Sequence, residues 1–328
     1  MPHPTLIIPF ALAPAEHAKD LLATLQAPAL AQLLSRASLL DRQTNDAFAA
    51  LLPHEQWLAP SGQDNSPAMA HALMQQLGLT SEPGYWFVLE PAHFHVARDH
   101  LVLTDRRQLA LDETTSRALF DAAQALFSEL GHTLRYGDAR HWFLRADAWS
   151  ELRTCSPDAA CGHNIDVWLP KGQGERDWRR LHNEVQMLWH THPINEAREQ
   201  RGERRINALW LWGGSAASNG QASEPAGPRA LARCHLGLPA SQVPADAEVL
   251  VIDSLMAPAL AGDWSAWLAA MAELDASHFN PLLTQLKQGE IHRVTLVLSD
   301  STRVDAWEVR RSSMRKFWVR ASLARLTP

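Results

Sequence analysis

A chain of 328 residues with 46% hydrophobic and 20% charged residues can bury a sizeable core, and its length fits one large or two modest domains. A formal net charge of −6 gives no general excess of cations to attract a phosphate backbone, which argues against nucleic acid as a partner. The apolar run Leu6 to Leu12 is short and broken by Pro9, the start lacks the positive flank of a signal peptide, and no stretch approaches the roughly 20 apolar residues that span a bilayer. Cys155, Cys161 and Cys234 form no C-x-x-C pair or disulfide framework, so the expectation is a cytoplasmic protein without a membrane span.

Thr5 to Phe10 reads as a buried first strand. Helical patterns follow over 14–25 and 29–34, with shorter ones over 47–52 and 68–77, and the stretch 60–67 is loop by composition. From Pro83-Gly84 the pattern changes to strand-like runs over 85–90, 94–103 and 133–144, the last folded at Gly137-Asp138. Among them sits one helix, with Asp112 as N-cap, Leu119, Ala122, Ala123 and Leu126 on one face, and Gly131 at its end. These elements predict an inserted α+β domain over 85–170.

Beyond the hinge-like Pro170 to Gly174, a helix over 177–189 precedes short apolar runs at 209–212, 249–252 and 294–298. Such runs, separated by the helical patterns 264–271 and 281–286, read as parallel strands of an α/β sheet. The predicted fold is therefore α/β, a mostly parallel core formed by 1–84 and 171–328 with the smaller α+β domain inserted. Ser215 to Pro228 is a small-residue loop, and Arg310 to Trp318 predicts a basic amphipathic helix with Met314, Phe317, Trp318 and Ala321 as its apolar stripe. Such a stripe more often docks on its own domain, although a membrane surface or an acidic partner could use it.

The densest polar chemistry lies between Trp189 and Gly214. After the helix, a loop presents His192, Asn195 and Arg198, followed by Asn207 and an apolar strand running into Gly213-Gly214. An arginine fork grips carboxylate or phosphate through two N–H groups, and glycines at a strand end let backbone approach a ligand. The bland alternative is that Pro193 stops the helix, Asn195 makes a turn bond and the interleaved Arg and Glu residues are a solvated face. Asp253 and Asp300 each follow a buried run, where α/β enzymes place functional acids, but capping of the next turn is favoured. His182, His190 and His192 near Glu184 lack a metal-ligand arrangement, His93 and His95 share a strand face that suits packing, and Cys161 and His163 are too close in sequence to resemble a thiol-imidazole pair.

The string His192-Pro193-x-Asn195-x-x-Arg198-x-x-x-Gly202, then Asn207 and the strand into Gly213-Gly214, resembles the signature segment of the archaeal-type cofactor-independent phosphoglycerate mutases. Within that group the chain resembles proteobacterial mutase-like regulatory proteins of the RpfE type. The resemblance implies the alkaline-phosphatase-like fold, an α/β core with a smaller inserted domain. In the resembled enzymes the first strand ends in a metal-binding Asp-Gly, whereas here it runs Ile8-Pro9-Phe10-Ala11. Their serine nucleophile sits in a Gly-Ser-Asp context that Ser35, Ser38 and Ser66 lack, and their late Asp-His appears here as Ser299-Asp300-Ser301. Ser215 stands where a third glycine is expected, and Trp212 where many relatives carry arginine.

Metal-assisted phosphoryl transfer needs cations to neutralise charge, so losing several ligands together removes the chemistry. The expectation leans against an enzyme. It is a degenerate mutase-like protein without cofactor, binding a phosphorylated or otherwise anionic small molecule, or a protein partner, in a regulatory role. The ligand residues would be His192, Asn195, Arg198, Asn207, Gly213 and Gly214, clustered beside Gly213. Two alternatives stand beside it: a metal-dependent phosphoglycerate mutase or related phosphotransfer enzyme, and an interaction protein using the basic C-terminal helix.

Overall fold

The computed structural model describes residues 3–58, 69–80, 82–216 and 249–327, together with the backbone of 234–236. Its strands are β1 (Thr5–Ile8), β2 (Ser38–Thr44), β3 (Tyr85–Ala92), β4 (Phe94–Ala97), β5 (His100–Leu103), β6 (Thr133–Tyr136), β7 (Trp142–Arg145), β8 (Ala208–Ala216), β9 (Cys234–Leu236), β10 (Val249–Val251), β11 (Arg293–Ser299) and β12 (Arg303–Arg310). Contacts divide the chain into two compact units, one of Met1–Ala47, Leu52–Leu58 and Arg233–Pro328, the other of Phe48–Leu51 and Ala59–Ala232.

In the first unit a six-stranded sheet has the order β2-β12-β11-β1-β10-β9. Strands β11, β1, β10 and β9 run parallel, and β12 and β2 add an antiparallel edge. Ile7, Ile8, Leu296, Val297 and Leu298 are fully buried, as continuous apolar runs covered on both faces should be. The mixed α/β class with a parallel-containing sheet is as expected.

Helix 264–274 continues through a π-helical turn, Asp275–Phe279, into helix 280–288. Pro281 has no N–H to continue the regular ladder, and the wider turn absorbs the loss. That turn also places the buried Asp275 carboxylate on the N–H groups of Ala29 (3.1 Å) and Leu30 (2.7 Å), capping helix Pro28–Arg36, whose own N-cap Ala27 has no side-chain acceptor.

The second unit is built on an antiparallel sheet of order β6-β7-β3-β8. Helices Glu113–Glu129 and Glu175–His190 cover one face, interlocked through Leu119, Phe120, Phe127, Trp178, Leu181, Val185 and Trp189 against Phe87, Leu89, Trp142, Leu144, Leu209 and Leu211. The Trp189 indole N–H donates to the Leu119 carbonyl at 3.2 Å, giving a buried polar atom its partner. Asp112 caps its helix by accepting from Thr115 N at 2.7 Å, and the turn after β6 closes with Gly137 N and Asp138 N both donating to the His141 carbonyl, as the sequence indicates.

Several expectations are corrected. The run 209–212 is not a parallel strand of the first sheet: β8 pairs antiparallel with β3, which draws 171–216 into the second unit and makes that unit more than half of the chain. A buried antiparallel strand carries the same apolar run as a parallel one, so local periodicity could not separate them. The division accordingly does not fall at 85 and 170. The helix expected over 47–52 instead spans Pro53–Leu58, started by the proline. Strands β2 and β12 are additional to the expected elements, and the C-terminal segment is a short 3-10 turn, Arg311–Arg315, not an amphipathic helix. The loop expected over 60–67 lies outside the described residues; of the loop expected over 215–228, Ser215 and Ala216 belong to β8 and the remainder lies outside the described residues.

His182, on helix 175–190, sits between Phe94 and Trp178 with ring centroids 5.6 Å from each. Burial pushes its imidazole down from 6.5 to about 4. The unfolded chain therefore takes up a proton that the folded chain refuses, so this contribution to stability is complete above pH 6.5 and is lost as pH falls towards 4. The loss amounts to about 3 kcal/mol. His71, His93 and His132 are also lowered by burial and add the same sign. In His182→Leu, denaturant titrations between those pH limits should show a shallower decline than the parent protein, and an unchanged slope would rule His182 out as a main contributor.

Candidate functional site

The stretch read as a loop after helix 175–190 is a second helix, Pro193–Gln200. Pro193 starts it at the first helical position, and His192 is the N-cap, its Nδ1 accepting from Ile194 N at 3.3 Å. With His192 at the cap, Asn195 and Arg198 follow at intervals of three and share one helix face. Asn195 and Arg198 turn inward, both with no exposed surface, and His192 is half-buried.

Each buried polar group on that face is taken up by the chain itself. Asn195 Nδ2 donates to the carbonyls of Trp189 (2.9 Å) and Ile206 (2.8 Å), and its Oδ1 accepts from Ile206 N at 2.8 Å. The Arg198 guanidinium donates to the Arg204 carbonyl at 2.8 Å, to Ala110 O at 3.5 Å and to Leu109 O, and pairs with Glu203 at 3.1 Å. Burial lowers its pKa. Gly202, at φ +73°, lets the helix end in a left-handed turn where Glu203 N returns to the Arg198 carbonyl. Asn207 imitates a strand neighbour, its Oδ1 accepting from Phe94 N at 2.8 Å and its Nδ2 donating to Phe94 O at 2.9 Å.

The expected cluster beside Gly213 does not form as a unit, because Asn207 precedes the first residue of β8 and Gly213 lies six residues further along the strand, about 20 Å away at strand rise. Gly213, at φ +69°, marks a bulge where the β3 to β8 register shifts between Trp86 and Val88. Gly214 is held bare by the rings of Phe87 and Tyr85, which a Cβ would meet at 2.6 and 2.7 Å. Both glycines have packing reasons to be there. Ser215 Oγ accepts from His71 N at 3.2 Å and lies 2.8 Å from His71 Nδ1.

The strand-end acids behave as turn residues. Asp300 Oδ1 accepts from Thr302 N, Thr302 Oγ1 and Arg303 N at 2.7–3.0 Å, shaping the turn between β11 and β12. Asp253 starts a turn through its carbonyl, which accepts from Met256 N at 2.9 Å. Metal of the kind the resembled mutases use does not fit these donors: β1 runs into Pro9 and the buried Phe10, and the described residues hold no group of three His, Cys, Asp or Glu side chains able to surround an ion. His93 bonds the Arg205 carbonyl and His95 the Thr104 hydroxyl, with their rings stacked at 6.3 Å. Cys161, pushed up to about 12 by burial and by Asp105 and Asp158, stays a thiol, and His163 stacks on Trp168.

The densest charge chemistry lies elsewhere, on the sheet face opposite helices 113–129 and 175–190. Glu90, 3% exposed on β3, accepts from Arg106 Nη1 at 2.9 Å and from the Trp212 indole at 3.0 Å. Arg106 Nη2 reaches Asp158 at 2.9 Å, and Arg107 joins Asp158 at 3.0 Å to Asp105 at 2.8 Å. Asp105, Asp158 and Glu90 are all buried. Glu90 and Asp158, with Thr104, Arg106, Cys161 and Trp210, line a cavity of about 10 Å³, room for one water. Two guanidiniums are paired with three carboxylates, and the His141 ring lies 4.0 Å from Glu90, so the cluster is internally paired rather than an open anion grip. The tripeptide Asp105-Arg106-Arg107 beside Glu90 and Asp158 was legible as charge, but nothing local in the sequence brings residues 90, 106 and 158 together.

The geometry defines a two-unit mixed α/β protein with a closed ionic cluster in its antiparallel unit. No family model matches the chain. It is 26% identical over 117 residues to a probable 2,3-bisphosphoglycerate-independent phosphoglycerate mutase of Geobacter sulfurreducens, covering 35% of this chain and 29% of that protein. Over 121 residues it is 22% identical to a 2,3-bisphosphoglycerate-independent phosphoglycerate mutase of Methanosarcina mazei, covering 34% and 30%. The matches thus span about three tenths of the length of these curated relatives. Among solved structures, the cofactor-independent phosphoglycerate mutase of Thermoplasma acidophilum aligns over 97% of this chain and 92% of its own, with TM-score 0.42 and 15% identity. The PH0037 protein of Pyrococcus horikoshii aligns over 94% and 87%, with TM-score 0.49 and 13% identity. The sequence matches establish a phosphoglycerate-mutase-like relationship over about a third of the chain.

Arg198→Ala should leave the carbonyls of Leu109, Ala110 and Arg204 short of donors and lower unfolding stability by about 3 kcal/mol. Arg198→Lys should fail to restore it, since one ammonium cannot reproduce the planar fork. Urea unfolding of both variants measures this, and a lysine variant of parental stability would refute the bonding scheme.

Proposed function

We propose that this chain is a mutase-like protein that has kept a scaffold and given up phosphoryl transfer, and that it works by binding in a regulatory role, as the resembled RpfE-type group implies. The observation that carries this is the state of its buried cations and amides. Asn195, Arg198, Arg106 and Arg107 are engaged by the chain's own carbonyls and carboxylates. A phosphoryl group entering either cluster would have to displace those internal partners and meet Glu203 beside Arg198, or Glu90, Asp105 and Asp158 beside Arg106 and Arg107. The absence of an acid at the end of β1 points the same way, because phosphoryl transfer depends on charge neutralisation at that edge of the sheet. The same accounting favours a macromolecular partner over a small anion.

Purified protein should show no interconversion of 3- and 2-phosphoglycerate with magnesium, manganese or cobalt. Turnover abolished by Arg106→Gln would overturn the proposal and make the chain an enzyme. Thermal unfolding with 3-phosphoglycerate in large excess should shift little. A ligand at about 100 times its Kd would add about 2.7 kcal/mol, a shift of several degrees, and that result would restore the small anion as the ligand.

A further inference from the structure

After Glu308 the chain has six basic and no acidic residues, so that against a total of −6 the preceding residues carry −12. Three of these cations, Arg315, Lys316 and Arg320, are exposed and make no ion pair among the described residues, in contrast with Arg310, which pairs with Glu308, and Arg325, which donates to the carbonyls of Leu34 and Ala37. Between them stand Phe317, 87% exposed, and Trp318, 68% exposed. Large apolar side chains left in water at that level ask for a partner surface. The stripe expected to dock on its own domain instead points away from it.

This segment is held in place. Lys316 N donates to Ser313 O at 3.2 Å, Phe317 N to Arg315 O at 2.9 Å and Val319 N to Lys316 O at 3.2 Å, forming successive turns. Arg36, at the end of helix 28–36, donates to the Val319 carbonyl at 2.9 Å, and Ser322 N donates to Ser35 Oγ at 2.8 Å. The two rings meet edge to face, with centroids 5.1 Å apart and planes at 83°. The result is an anchored segment with two exposed aromatic rings and three exposed cations that make no ion pair among the described residues.

We infer that Arg315 to Arg320 is a docking site for an anionic lipid surface, with Phe317 and Trp318 entering the interface and Arg315, Lys316 and Arg320 meeting the headgroups. Charge complementarity selects the occupant: this segment is positive in a chain whose remainder is net negative, and a partner must supply spread negative charge together with apolar depth. A bilayer interface supplies both without a matching cavity. Single-stranded nucleic acid suits it less, because two rings at right angles cannot act as successive stacking platforms for bases. No helix among the described residues is long and apolar enough to cross a membrane, and the inferred contact is peripheral.

Cosedimentation of the full chain with vesicles of phosphatidylcholine alone, and of phosphatidylcholine mixed with phosphatidylglycerol, tests this. Binding should be confined to the anionic vesicles and weaken with added salt. Each basic side chain near such a surface is worth about fivefold, so Arg315→Glu, Lys316→Glu and Arg320→Glu together should weaken binding on the order of 100-fold or more. Phe317→Ser with Trp318→Ser should also weaken it, at unchanged thermal stability since both rings are exposed. Absence of binding to the anionic vesicles, equal binding to both compositions, or binding that survives both sets of substitutions would overturn the inference. In the first case the cations would be assigned to an acidic protein partner.

Discussion

A guanidinium with no exposed surface has few stable arrangements, and the one at Arg198 governs how the second unit is assembled. Taking an arginine out of water is tolerable only when its donors are met and a counter-charge lies near. Arg198 meets that demand from two separate segments: its own following turn, through Arg204 and Glu203, and the Leu109–Ala110 bend, where Ala110 adopts φ +44°. That bend leads directly into the helix capped by Asp112. One side chain thus fixes the distance between the start of helix 113–129 and the approach to β8. Asn195 beside it performs the same service between the end of helix 175–190 and Ile206.

This explains how a segment dense in hydrogen-bonding side chains can be necessary without touching a ligand. His192 starts a helix, Asn195 and Arg198 tie that helix down, Gly202 ends it, and Asn207 sets β8 against the Phe94 backbone. Gly213 then makes the bulge and Gly214 leaves room for Phe87 and Tyr85. Each residue of the string has a mechanical duty that holds whether or not chemistry occurs nearby. The segment is therefore accounted for by this chain's own architecture. It does not by itself report a shared reaction.

How much of this could be read beforehand depended on the range of the interaction. Asp112, Gly131, Gly137-Asp138 and the buried run of β1 declare themselves within a few residues, because caps, turns and covered strands are local problems. The partner of β8 was not local: the same apolar run serves a parallel or an antiparallel neighbour, and choosing wrongly moved the domain boundary. Pro193 was read as ending a helix when it starts one, since proline suits both the residue after a helix and its first turn. Strand β2 was invisible because all seven of its residues are exposed, leaving no alternation. The roles of Asn195 and Arg198 were legible only as alternatives, for a side chain able to hold a ligand is equally able to hold a backbone.

The contrast between the two sets of arginines separates fold from use. Arg198, Arg106 and Arg107 lie among carbonyls and carboxylates whose positions the fold sets, so a ligand would have to compete with partners already in place at effectively high local concentration. Arg315, Lys316 and Arg320 face water, and water is an easily displaced partner for a cation approaching a charged surface. An incoming negative group therefore gains most where the chain has spent least on internal pairing. On this reasoning the chain holds its buried arginines for itself, and what it offers outward is the cationic and aromatic segment of its first unit.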